Sequence, residues 1–220
     1  MTTGSSRVDT GRSSRGRAVR RLALEIGIAL VLVMLVRAFV AQSYVVPSAS
    51  MEPTVRTGDR VVVLKAFGGR DVARGDVIVF DGTETFAAAD RATFMSDGLL
   101  GRTLSAVADG LSVDLGEQDY LKRVAGVGGD RVTCTPADGL VVDGEPVDES
   151  YLPDGAAACE TPYDVEVPPE HLFVLGDNRP ESSDSSDRLG NPGGGMVPLD
   201  DVVGTVTYRY WPLDAVGGVG

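Results

Sequence analysis

The sequence predicts a mainly β body behind one apolar helix, and three observations predict it. Short runs rich in Val, Thr, Tyr and Phe recur along the chain, each bounded by Gly, Asp or Pro, the mark of strands closed by turns. Glycine is abundant, 28 of 220 residues, and no long helical pattern alternates with the strand runs, which argues against a parallel α/β sheet. The stretch LALEIGIALVLVMLVRAFVA, residues 22–41, is long and almost wholly apolar. A chain of this length buries one good-sized core, so one domain with appendages is expected.

Residues 1–21 form a basic tail in which Arg7, Arg12, Arg15, Arg17, Arg20 and Arg21 face only Asp9, a net of +5. Glu25 and Arg37 cancel, so residues 42–220 carry −17 of the formal total of −12. An acidic body repels phosphates, which argues against nucleic acid as the partner of the whole chain, and the position of the arginine tail before an apolar segment favours a topology signal. About 20 apolar residues suffice to cross a bilayer as a helix. Glu25 and Arg37 lie near the two ends, where long side chains reach the headgroups. Residues 22–41 are therefore expected to form a single transmembrane helix, with the arginine tail cytoplasmic and residues 42–220 across the membrane. A cleavable signal peptide ending at Ala41 is the rival reading; Phe39, where a small residue is wanted, and the length of the run count against it.

In the body the strand runs are DRVVVLK (59–65), GDVIVF (75–80), DYLKRVAGV (119–127), DRVTC (130–134), GLVVDG (139–144), HLFVLGD (171–177) and VVGTVTYRYW (202–211). Helical spacing returns over 91–111, where Phe94, Leu100, Leu104, Val107 and Leu111 fall roughly on one face despite Gly98 and Gly101. The run RLGNPGGGMVP (188–198) reads as a mobile loop. Cys134 and Cys159 both lie in the translocated part, where a disulfide is permitted. Paired, they would close a loop of about 25 residues and stabilise by roughly 3 kcal/mol on the chain-entropy account; free buried thiols are the alternative.

Ser48 and Ser50 stand in VPSASMEPTV, shortly after the apolar segment. A serine hydroxyl needs a base before it attacks a carbonyl. The basic residues are 18 arginines and two lysines, Lys65 and Lys122, beside a single histidine, His171. Arginine stays protonated, so three candidate bases remain. His171, at the start of a strand run, suits a surface or turn position better than a catalytic triad. Strand alternation puts Lys122 on the face of Tyr120 and Val124, with Arg123 on the other. That face is apolar enough to desolvate an amine and bring its pKa from about 10.4 towards roughly 7–8. Lys65 shares its face with Val61 and Val63, so alternation alone leaves it in contention. No Ser-x-x-Lys and no Gly-x-Ser-x-Gly occurs, which disfavours β-lactamase-like enzymes and α/β-hydrolases. The acidic DNRPESSDSSD (177–187) lacks the spacing and glycine of an EF-hand. Two cysteines and one distant histidine make a poor metal set, so no metal or other cofactor is implied.

Three boxes carry a resemblance. VPSASMEPT resembles the nucleophile box of bacterial type I signal peptidases, DYLKRVAGVGGD their lysine box, and LGDNRPESSDSS their Gly-Asp-Asn-x-x-x-Ser-x-Asp-Ser box, in the family's order over most of residues 22–210. The resemblance implies a coiled, mainly antiparallel β-sheet catalytic domain with a smaller β extension, and makes 82–118 a variable insertion. It implies Ser50 as nucleophile, Lys122 as general base, and the Ser48 hydroxyl with the Ser50 N–H as oxyanion donors. Ser182 would orient the lysine amine and Asp184 would be a structural carboxylate. Val46, Pro47, Met51, Val55 and Leu121 would line shallow substrate pockets, with Asp119 and Tyr120 in the strand along which the substrate lies. The implied substrates are exported preproteins cut after Ala-x-Ala signals, the other partner is the lipid bilayer, and the site is the outer face of the cytoplasmic membrane. A lysine rather than a histidine at 122 indicates the bacterial type. One departure stands out: the family's arginine after Asp-Ser is replaced by Ser186, and Arg188 follows two residues later, which puts the local salt bridge in doubt. A repressor-type Ser-Lys autoprotease would need a helix-turn-helix that residues 1–45 do not offer. An inactive membrane-tethered binding module would be expected to have lost Ser50 or Lys122.

Overall fold

The computed structural model describes residues 12–65, 72–83, 85–86, 113–114 and 119–219. The helical spacing over 91–111 lies outside them, as does the 82–118 insertion apart from residues 82–83, 85–86 and 113–114. The chain divides into two units after Val40.

The first unit is a helix, α1, Arg12–Phe39. Its described side chains, Val19 to Met34, are all exposed, and from Leu22 onward they are apolar on every side except at Glu25. Among the described residues no helix is long and apolar enough to cross a membrane. The expected bounds of 22–41 shift at both ends. The helix already includes Arg12, because arginine propagates a helix nearly as well as leucine. Ala41, expected as its last residue, instead opens a strand.

In the second unit that strand is β1, Ala41–Val45. It pairs antiparallel with β2, Arg60–Lys65, from Ala41 opposite Leu64 to Val45 opposite Arg60. The main sheet continues through β12, Val202–Trp211, β3, Val77–Asp81, β5, Asp119–Val127, and β10, His171–Leu175, to β11, Val197–Pro198. Short strands β4, Val113–Asp114, and β13, Gly217–Gly218, add to β1 and β12. Every described pair is antiparallel except β1 with β4. A second sheet orders β8, Glu145–Pro146, β7, Gly139–Val142, β6, Arg131–Thr135, and β9, Tyr163–Glu166. The fold is mainly antiparallel β, with a larger and a smaller sheet.

Alternation along β3 and β5 sorts the core. Val77, Val79 and Leu121 pack on one side with Tyr44, Val46, Met51, Val55, Val61 and Val63. Ile78, Phe80 and Val124 pack on the other with Phe86, Leu172, Val174 and Val197. Strands buried on both faces contribute about 1.5–3 kcal/mol per enclosed Val, Leu or Phe side chain. The small sheet has its own cluster, in which Val132, Leu140 and Val142 meet Phe173 and Leu175 of β10. Cys134 and Cys159 are joined by a disulfide across 6.3 Å between Cα atoms, tying β6 to the loop before β9. The run 188–198 is more structured than its glycines suggest: Met196 and Val197 are buried, and Val197 pairs with Leu172.

Gly204 sits where β12 bulges against β3 and crosses closest to β2. A Cβ there would collide with the Leu64 carbonyl oxygen and stand 2.8 Å from its carbon, and a backbone obstacle cannot rotate away. Gly204→Ala should therefore cost about 1–3 kcal/mol, read as a lowered melting temperature of the detergent-solubilised protein. Thr207→Val, on the exposed part of the same strand, should stay within about 0.5 kcal/mol. Equal effects of the two would refute this account of Gly204.

Candidate active site

The loop after β1 presents Ser50. Val46 N–H donates to the Asp59 carbonyl at 2.9 Å and Gly58 N–H returns to the Val46 carbonyl at 2.8 Å, closing the loop at its base. Met51 and Val55 are fully buried, so the loop is nailed into the core by the residues flanking the serine. A turn from Met51 O to Val55 N–H, 3.0 Å, brings the second nail back to the first.

Lys122 comes from β5, on the face of Tyr120 and Val124 as alternation predicts, and is only 3% exposed. Its Nζ is hydrogen-bonded to Ser50 Oγ at 2.9 Å, inside the reach needed for proton transfer. Burial pulls its pKa down from the usual 10.5 to about 8; Asp184, then Asp177 and Asp187, push it up, and Arg188 pushes it down. The other two candidate bases stand elsewhere. Lys65 ends β2 opposite Gly204. His171 opens β10 opposite Pro198, with Nδ1 hydrogen-bonded to the Pro169 carbonyl at 2.8 Å.

Ser48 Oγ lies 3.3 Å from Ser50 Oγ on the exposed side of the loop. Ser182 is buried, and its hydroxyl donates to Asp184 Oδ2 at 2.9 Å; the hydrogen bond described for the Lys122 amine goes to Ser50 instead. Asp184 accepts from the Gly176 N–H at 3.0 Å on the same oxygen, and from the Ser186 N–H and hydroxyl, 3.1 and 2.8 Å, on the other. It holds the box together through these four hydrogen bonds. Val46, Met51, Val55 and Leu121 are all buried in the core beneath the loop, while Pro47 is exposed. The four buried residues form a packed floor beneath the loop. Asp119 and Tyr120 are half-buried at the start of β5, with the Tyr120 ring stacked on Phe80 at 5.8 Å. On one side β5 pairs with β3 from Asp119 onward; on the other, β10 reaches only as far as Arg123. Among the described residues no strand covers that second edge of Asp119–Lys122.

Several residues that position this site were not singled out from the sequence. Asn178 clamps the loop: its N–H donates to the Ser50 carbonyl at 3.0 Å and its Nδ2 to that of Ala49 at 3.1 Å. Gly176 has no room for a side chain, since a Cβ would collide with Ser182 Oγ and stand 2.6 Å from the Ser50 carbonyl oxygen. Arg123 grips Asp177 with two hydrogen bonds, 2.8 and 2.7 Å, and Asp177 also takes the Thr54 hydroxyl at 2.5 Å. The sequence signal for Gly176, Asp177 and Asn178 was the Gly-Asp-Asn run directly after a strand, and Arg123 showed only as the residue facing away from Lys122. Among the described residues no cluster of His, Cys, Asp and Glu has a metal-binding arrangement.

A serine hydroxyl 2.9 Å from a buried amine on an antiparallel β scaffold is an arrangement that serine-type hydrolases use. The comparisons narrow it: residues 19–211 match the family described as signal peptidase, peptidase S26, and the chain belongs to that family. It is 34% identical to a probable signal peptidase I of Mycobacterium leprae, over 89% of this chain and 76% of that one. It is 33% identical to a signal peptidase I of Mycobacterium tuberculosis over 97% and 80%, and 31% identical to that of Bacillus caldolyticus over 84% and 88%. The chain is a hydrolase of the bacterial type I group.

The sign of the pH dependence follows from the lysine. Only the neutral amine can accept a proton, so with Lys122 as the base peptidase activity is expected to rise with pH along a limb centred near 8 rather than near 10.5. Between those values the unfolded chain binds more protons than the folded one, so folding stability also rises with pH there and the contribution is lost as pH falls through 8. An activity limb centred near 10 would contradict a desolvated Lys122. Asn178→Ala frees the nucleophile loop and should lower kcat by about 10- to 100-fold with little change in melting temperature, since misplacing a reacting group is costly; unchanged kcat would show that the clamp is idle.

Proposed function

We propose that the chain is a membrane-bound serine endopeptidase that removes signal peptides from exported preproteins after small residues, with Ser50 as nucleophile and Lys122 as general base. The observation that carries this reading is the 2.9 Å contact between Lys122 Nζ and Ser50 Oγ with both groups buried. It is supported by relatives that are named signal peptidase I over most of their length.

In this reading the neutral amine takes the Ser50 proton as Oγ attacks the scissile carbonyl. The developing oxyanion is received by the Ser50 N–H and the Ser48 hydroxyl. The lysine ammonium then protonates the departing amine, and the regenerated amine activates water to release the acyl group. Residues preceding the cut add as a strand to the uncovered edge of Asp119–Leu121, where backbone hydrogen bonds bind without regard to sequence. Selectivity for small residues would come from Val46, Met51, Val55 and Leu121, which are already packed into the core and leave little room for a large side chain beside Ser50. Asp184 and Ser182 hold the box that faces the amine.

The helix supports a membrane tether, since a helix apolar on all sides must be buried in protein or lipid, and α1 buries no side chain from Val19 to Met34. The arginine tail then stays in the cytoplasm and residues 42–220 face outward. Tyr208, Trp211, Leu213 and Val216 are large apolar side chains exposed at one end of β12 and just beyond, as suits a body working at a lipid surface.

Detergent-solubilised protein incubated with a purified preprotein tests the reading. Ser50→Ala and Lys122→Ala should each abolish cleavage, and Ser48→Ala should lower kcat by about 10²–10³. Cleavage that survives in both the Ser50 and Lys122 variants sinks the mechanism. Protease added to spheroplasts should digest the region after residue 42; its protection would refute the orientation.

A further inference from the structure

The segment between β8 and β9 has no part in the mechanism above. Residues 147–162 form no helix or strand, and Cys159 is their one buried residue. Its sulfur is bonded to that of Cys134 on β6. Cys134 is also held by backbone pairing, opposite Leu140 of β7 and Tyr163 of β9. The small sheet thus has its own pairing without the disulfide, whereas the segment would lose its covalent anchor.

This segment bears on the active site from two directions. Ala158, next to Cys159, offers its carbonyl to Arg179 Nη1, and Glu149 accepts from Arg179 Nη2. The Arg179 side chain is 7% exposed, and its Nε donates to the Gly176 carbonyl at 3.0 Å. One guanidinium therefore ties the segment to the 176–178 turn, where Asn178 holds the carbonyls of Ala49 and Ser50. From the other direction the Tyr151 ring lies 4.1 Å from the Arg123 guanidinium, whose partner Asp177 belongs to the same turn. The contacts run unbroken from Cys159 through Ala158, Arg179 and the turn to Ser50.

The disulfide can also be reached. Cys159 is 7% exposed against 1% for Cys134, and it lines a cavity of about 380 Å³ whose wall includes Ala158, Arg179, Ser182 and Asp184. A thiolate entering there meets the Cys159 sulfur first. It forms a new S–S bond with Cys159 while Cys134 departs as a thiolate and takes a proton; the second thiol of the same reductant then displaces Cys159. The dithiol ends as a disulfide and both cysteines as thiols. Without its anchor the segment gains conformations, and its hold on Arg179 loosens. We propose that Cys134–Cys159 is a redox-sensitive site that sets the rate of the enzyme: reduction by a dithiol frees residues 147–162, and Arg179 passes that release to the turn that clamps Ser50. The proposal rests on Ser50 being the nucleophile.

Dithiothreitol is the probe, applied to full-length protein in detergent, with alkylation of the chain's only two cysteines to confirm that the bond is open. Reduction should lower kcat for preprotein cleavage by about tenfold with KM within about twofold, and reoxidation should restore it. The double variant Cys134→Ala/Cys159→Ala should be slow and indifferent to dithiothreitol. In Arg179→Met, already slow, reduction should lower kcat by no more than about twofold further, because both changes cut the same link; Arg179→Gln serves if the Met variant fails to fold. A reduced enzyme with kcat within about twofold of the oxidised one overturns the proposal, as does a fully additive effect of reduction in the Arg179 variants. Loss of the β-sheet circular dichroism on reduction at the assay temperature also overturns it, since the disulfide would then only stabilise the fold. Lys65 and Lys122 are the only lysines, so lysine labelled with 13C gives two signals, one of which Lys122→Ala removes. Reduction should move the Lys122 signal, whose amine faces Ser50, and leave that of Lys65. Oxidised protein that cleaves no preprotein defeats the functional reading, and an unmoved Lys122 signal separately overturns this proposal.

Discussion

The buried ion pair between Arg123 and Asp177 is the constraint on which the site depends. Asp177 is wholly enclosed, and its two oxygens take both Arg123 nitrogens and the Thr54 hydroxyl. Three segments far apart in sequence meet there: β5 one residue past Lys122, the turn after β10 between Gly176 and Asn178, and the nucleophile loop four residues past Ser50. Arg123 further donates to the Gly75 carbonyl at 2.7 Å and lies 4.1 Å from the Tyr151 ring centroid, so it also touches the segment entering β3 and the edge of the smaller sheet. Such a pair contributes little net stability against an apolar replacement, but removing either partner strands a buried charge at a cost of about 3–5 kcal/mol. Its value here is geometric, because it sets the register in which amine and hydroxyl face each other.

The second constraint is how a carboxylate-rich box can surround a base without neutralising its purpose. Asp184 is the anion that pushes the Lys122 pKa up most, yet its oxygens are spent on four donors from its own box. Asp177 is spent on Arg123 and Thr54. Charges already compensated by local hydrogen bonds project weakly, and desolvation then decides the state of the amine. Gly176 is what permits this compactness. With no side chain, it lets Ser182 and the Ser50 carbonyl approach the same backbone from either side, so the acidic box and the nucleophile loop can share one wall.

Much of this was legible in the sequence because strand alternation reports faces. β5 and β12 occupy the residues their patterns predict, and Lys122 shares its face with Tyr120 and Val124. What alternation cannot report is which face meets which loop, so Lys65 stayed in contention until the resemblance of DYLKRVAGVGGD separated the two. β1 was missed because its AQSYV follows the apolar helix with only Val40 between them, and β9 because Asp164 and Glu166 make YDVE look like a loop; both are edge-like segments that pairing, not propensity, makes into strands. The buried floor under Ser50 was hidden for a related reason. Val46, Met51 and Val55 are ordinary apolar residues in a loop, and only the long-range packing of β2, β3 and β5 turns them inward.

The departure after Asp184 shows how a small shift in sequence redistributes roles. Where the resembled pattern has arginine, Ser186 supplies an N–H and a hydroxyl to Asp184 Oδ1. The carboxylate therefore needs no cation in that place. A 3-10 turn, Ser186–Arg188, carries the arginine two residues further on, beyond the box it would have closed, and delivers it to the Phe86 ring. A neutral serine satisfies the carboxylate locally, and the displaced arginine is seated over the Phe86 ring. Gly195 fits that displacement, since a Cβ there would stand 2.8 Å from Arg188 Cβ and 2.8 Å from the Ser185 carbonyl oxygen.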